Sequence, residues 1–151
     1  NFDSKTMVLS LTQNSLQAPS IASASFSRVD IEEENRIPFM VYMDEFHNFT
    51  TLSLINMFSE LRKFKVGMTM AHQYIAQLDP DIKSAVLGNA GSIISFRIGT
   101  EDAMLMAKEM YPEFDVEDFI NLPNYKIYLK LMIDGRPSRP FSANTALFNS
   151  K

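Results

Sequence analysis

Two periods of apolar and polar residues alternate along the chain, and the switches between them mark its elements. "KTMVLSL" at 5–11 predicts a short buried strand. "FMVYM" at 39–43 is a continuous apolar run of strand length, the pattern of a strand covered on both faces. "VGMTMAH" at 66–72 and "SIISFRI" at 92–98 predict two further strands. Between them the period lengthens. At 51–65, Leu54, Phe58, Leu61 and Phe64 or Lys65 form an apolar stripe, with Ser53, Asn56, Glu60 and Lys63 opposite, which predicts an amphipathic helix.

Local punctuation sharpens the later elements. In "LDPDIKSAVLGN" at 78–89, Asp79 suits the N-cap, Pro80 the first helical position and Gly88-Asn89 the exit. A helix over 100–111 has Thr100 as its expected N-cap, with Glu101 and Asp102 near the positive end of its dipole. "DVEDFINL" at 115–122 predicts a short helix. In "YKIYLKLMID" at 125–134, Tyr125, Ile127, Leu129, Leu131 and Ile133 share one face, the mark of a half-exposed antiparallel or edge strand that ends in a turn at Asp134-Gly135. Three stretches carry weaker patterns: a Ser/Ala-rich helical segment at 14–29 in which Pro19 fits only near the start, an acidic loop at 30–38, and an irregular tail from 136.

Strand and helix thus alternate from Phe39 to Met110, which predicts an α/β fold: a mostly parallel sheet, helices on both faces and an antiparallel edge strand. Ligands of such sheets gather at the carboxyl ends of the strands. Asp44-Glu45, His72-Gln73 and Arg97 all fall at or near such ends.

Composition narrows the picture. A chain of 151 residues fits one domain or a large piece of one, and 46% apolar residues suffice for a sizeable core, which the ten methionines would help to fill. A net charge of −4 rules out a general electrostatic trap for nucleic acid, so any DNA contact needs a local patch or a ring of subunits. The absence of cysteine excludes disulfides and thiolate metal sites. No apolar run approaches the roughly 18 residues that span a bilayer, and no signal peptide is visible, so a soluble, cytoplasmic chain is expected. A start at Asn1 rather than methionine suggests a fragment.

Two adjacent carboxylates at the end of an apolar strand have a specific chemical use. Nucleotide hydrolysis needs one carboxylate to hold Mg2+ and a second group to orient or deprotonate the attacking water. Asp44 and Glu45 suit these roles; as residues alone they also read as a strand running out into a loop. Gln73 reads as a sensor of the attacking water or γ-phosphate, or as a loop amide. Arg62 reads as a helix-terminal cation or as an arginine finger reaching a neighbouring subunit. Arg97 reads as a phosphate or intersubunit contact, or as a strand-end partner of Glu101 or Asp102.

The ordered set DEF…RK…Q…QLD…GN…FR, with "NLPNYKIYLKLMIDGRPSRPF" after it, resembles the second half of the motor domain of type IV secretion coupling proteins and related hexameric DNA-pumping ATPases of the FtsK/HerA class. The likeness runs from about Lys5 to Phe141 and is strongest from Phe39 to Asp102. It implies a RecA-like core over 1–141 with an extension over 142–151. It makes Asp44 and Glu45 the Walker B pair, Gln73 the strand-tip sensor, Arg62 the trans-acting finger and Arg97 a secondary phosphate contact. ATP and Mg2+ would be the cofactors, with Asp44 holding the metal through water. The partners would be DNA, a homo-hexameric ring and the secretion or conjugation machinery, with any inner-membrane anchor outside this sequence.

One departure stands out. The five glycines are Gly67, Gly88, Gly91, Gly99 and Gly135, and none precedes a lysine, so no G-x-x-x-x-G-K-[ST] loop is present to cradle phosphates. The chain is therefore expected to be the carboxyl-terminal part of a larger motor and inactive alone. Two other readings stand beside this one. "DEFH" satisfies the DExH helicase pattern, though "MAHQ" stands where such enzymes carry a Ser-Ala-Thr-like element. A non-enzymatic interaction domain could also keep a nucleotide-binding fold. His47 and His72 show no recognisable metal-ligand spacing.

Overall fold

The apolar runs at 39–43 and 66–72 form neighbouring parallel strands. In the computed structural model, which describes residues 7–10, 30–49, 58 and 61–146, these are β2 (Phe39–Met43) and β3 (Val66–His72). The strand expected at the start is β1 (Met7–Ser10), next to β3 on the side away from β2. The segment expected to be helical at 14–29 lies outside the described residues, as does most of the helix expected at 51–65. Of the latter, Phe58 and Leu61 are helical and buried, and a 3-10 turn, Arg62–Phe64, leads into β3. The chain folds as two units, 8–91 and 1–7 with 92–151.

In the first unit, backbone contacts ahead of the strands set how β2 and β3 align. Phe39 N–H donates to the Lys65 carbonyl at 2.9 Å, and the register runs from Phe39↔Val66 to Met43↔Met70. Arg36 braces the same junction: its guanidinium donates to the carbonyls of Ile31 and Lys63 and lies 5.3 Å from the Phe64 ring centre. The acidic stretch before β2 is exposed, as expected, with a 3-10 turn at Glu33–Asn35. Val41, Met43, Phe46, Met68, Met70 and Ile75 are buried, so polarizable methionines do fill this core. Tyr42 departs from the expectation of a strand covered on both faces; its side chain is exposed. Helix α1 (Pro80–Asn89) starts as its punctuation predicts, with the Asp79 carboxylate accepting from Asp81 N–H at 2.9 Å and Pro80 in the first turn.

The second unit is antiparallel where the sequence suggested a mostly parallel sheet. β4 (Ser92–Ser95) pairs with β5 (Lys126–Lys130), and β5 pairs on its other side with β8 (Phe141–Asn144). β5 is thus an antiparallel strand, as expected, but an inner one. The irregular tail expected from 136 is instead strand-forming: Arg136–Pro137 (β7) returns against Met132–Ile133 (β6), and β8 follows. The expected five-residue apolar face is cut at both ends: Tyr125 precedes β5 and is exposed, and Ile133 turns out into this exposed hairpin. Asp134 and Gly135, at φ of 49° and 75°, make the turn, a backbone conformation that Gly adopts at little cost.

Helix α2 (Thr100–Glu109) begins one position away from expectation. Gly99 is the N-cap, its carbonyl accepting from Ala103 N–H at 2.9 Å, and Thr100 is already inside the helix. Helix α3 (Val116–Ile120) is held by a reciprocal capping box between Asp115 and Asp118. Ile93, Ile98, Met106, Met110, Phe119, Leu122 and Leu129 form the buried set of this unit. No helix among the described residues is long and apolar enough to cross a membrane.

Candidate functional site

Parallel pairing carries the ends of β2 and β3 to the same edge. The register ends at Met43↔Met70, and two more residues on each side bring Glu45 level with His72. Glu45 adopts a φ of 46°, uncommon for a residue with a side chain, and the reversal separates the two carboxylates. Asp44 is exposed, its Oδ1 accepting from Glu45 N–H at 3.0 Å. The Glu45 side chain is half-buried and meets the tip of β3.

There its two oxygens have different partners. Gln73 Nε2 donates to Oε1 at 2.5 Å, while Oε2 lies 3.4 Å from His72 Nδ1 and 3.5 Å from His47 Nδ1. Phe46, fully buried, follows Glu45 into the core and sets its ring edge-on to His72 at 5.1 Å. The His47 and His72 ring centres are 4.8 Å apart. His72 is 5% exposed, and its Nε2 has no hydrogen-bond partner among the described residues.

The structure therefore joins three of the sequence-marked residues, Asp44, Glu45 and Gln73, at one strand edge. For the other two it gives only a place in the chain. Arg62 opens the turn before β3, and its guanidinium lies outside the described part of the chain. Arg97 follows β4 in a bend, within the other unit. The two histidines, in which spacing showed no metal signal, sit against the central carboxylate. Residues 25 apart carry no short motif, and only the β2–β3 register makes them neighbours.

Chemically, the edge offers an exposed carboxylate beside one whose orientation is fixed by an amide. Asp44 fits a hard cation such as Mg2+, which takes one or two carboxylates and keeps several waters. Fit to the phosphates of ATP is lacking: without a Gly-rich loop and its lysine, these residues supply no cradle of backbone N–H groups. Compared with known proteins, the chain matches no family model and no curated protein.

Proposed function

We propose that the chain carries the Walker B half of an ATP-driven motor that translocates DNA in conjugation or type IV secretion, with a RecA-like core as its fold. The observation that carries this reading is the Gln73–Glu45 hydrogen bond between the tips of adjacent parallel strands, beside the exposed Asp44. The resemblance of "DEF…RK…Q" to coupling-protein motors implies roles for both residues, Glu45 in the Walker B pair and Gln73 as the strand-tip sensor. Asp44 would hold Mg2+ through its solvation shell, which supplies charge neutralisation when bound. Glu45 would accept a proton from water, and Gln73 would keep the carboxylate turned toward that water. Arg62 in trans and Arg97 remain part of this proposal through the resemblance, as do the hexameric ring, the DNA substrate and the secretion machinery. Phosphate binding would come from a P-loop elsewhere in the full-length protein, so this 151-residue chain should not turn over ATP by itself.

The test is Glu45→Gln in the full-length protein. The neutral amide should retain ATP binding and lower turnover by about a hundredfold or more, within the range for removal of a general base. Wild-type turnover by that variant, or robust turnover by the isolated chain, would overturn the reading.

A further inference from the structure

We infer that Glu45, His47 and His72 form a binding site for a borderline transition-metal ion, Zn2+ in the first instance, distinct from the Mg2+ role of Asp44. One ligand atom from each of the three lies within 4.8 Å of the other two. Two of the edges are sharper than that. Glu45 Oε2 stands 3.4 Å from His72 Nδ1 and 3.5 Å from His47 Nδ1. Tetrahedral ligands bound at about 2.0–2.1 Å are separated by about 3.3–3.4 Å. Ordinary N–H···O hydrogen bonds are shorter, at about 2.7–3.2 Å. The spacing thus suits a shared ion better than direct hydrogen bonds to both rings.

Two further features separate this cluster from a histidine buried for packing alone. Buried polar groups are as a rule hydrogen-bonded, yet His72, at 5% exposure, has only the long contact at Nδ1, the atom that would ligate the ion; its Nε2, on the other side of the ring, takes no part in the site. Its burial is not accounted for by hydrogen bonding. The carboxylate is also arranged as a ligand: Gln73 holds Oε1, the kind of outer partner that orients metal-bound carboxylates, and leaves Oε2 toward the imidazoles. His47, with a side chain 44% exposed, gives the ion a path from solvent. Two imidazoles and one carboxylate select Zn2+ and its neighbours over Mg2+, and three protein ligands leave a position for water.

On the nucleotide reading above, Oε2 would be the proton acceptor, so ion binding and hydrolysis would compete for it. The metal site itself rests on geometry and does not depend on that reading.

The test uses the purified, tag-free chain, stripped of metal. Zn2+ affinity is read by competition with a chromophoric chelator, and Co2+ binding by visible d–d absorption. One ion per chain is expected, with intense Co2+ bands of a low-coordinate site and no displacement by millimolar Mg2+. His47→Ala, at an exposed position, should weaken binding at least tenfold with an unchanged circular dichroism spectrum. Glu45→Gln should weaken it similarly and serves as the second variant if the first is poorly folded. Sub-stoichiometric binding, wild-type affinity in both variants, or displacement by Mg2+ would each overturn the inference.

Discussion

Tyr128 shows how a single side chain reports on its surroundings. Its ring stacks on Phe114 at 3.8 Å and meets Phe119 edge-on at 5.2 Å, so the phenol is held in an aromatic cluster beside α3. Burial raises its pKa above the ordinary tyrosine value, and the carboxylates of Asp118 and Asp115 raise it further. The sign follows directly. The unfolded chain ionises this phenol first, so the stabilisation is full below about pH 10 and is lost as pH rises toward the folded-state value. Tyr128→Phe cannot ionise. The stability difference between wild type and variant, from urea unfolding, should therefore shift against the wild type between about pH 9 and about pH 11. A difference constant across that range would mean that the phenol is as easily ionised folded as unfolded. Glu45 is the contrasting case, where a positive φ goes with three polar neighbours rather than with an aromatic cluster.

At the scale of elements, short α3 depends on its first turn. Helices of five residues have little cooperative support, and here the Asp115 carboxylate accepts from Asp118 N–H while Asp118 accepts from Asp115 N–H. Asp115→Ala should lower stability by about 1 kcal/mol, seen as a lower urea midpoint at unchanged slope. A neutral result would place the helix's support in Phe119 and the aromatic cluster instead. Strands β2 and β3 were legible to the residue because each is a short, largely apolar run that gives way to polar residues at its end. Helix α1 was legible because Asp79 and Pro80 act locally. By contrast, β7 and β8 have no period to read: "RPSRPFSANT" holds two prolines and few apolar residues, and its pairing is supplied by other strands, β6 for β7 and β5 for β8. The candidate site divides in the same way. Asp44, Glu45 and Gln73 could be found from strand ends alone, whereas the contact of His47 and His72 with Glu45 requires knowing that β2 and β3 are neighbours in a given register.

At the scale of the whole molecule, Asp44, Glu45, His47, His72 and Gln73 belong to the unit spanning 8–91, so this unit holds both the proposed Walker B pair and the inferred metal ligands. The other unit supplies Arg97 and the antiparallel pairs β4–β5, β5–β8 and β6–β7. The net charge of −4 gives the molecule no general pull on DNA, so on the motor reading its grip would come from a local patch or the assembled ring. β8 has a practical consequence for where the chain can be cut. Its pairs, from Lys126↔Asn144 to Leu129↔Phe141, occupy one whole side of β5. A chain ended after residue 140 would present that side as a row of bare backbone donors and acceptors, the template on which strands from other molecules add. A chain ended after 146 keeps the row covered. The shorter product should therefore run as soluble aggregate on size exclusion while the longer one runs as a discrete species. Equal behaviour of the two would mean that β5 tolerates an open flank. Aggregation of the shorter product alone would make the last strand, unremarked by the hydrophobic pattern, a guard against self-association as much as a part of the fold.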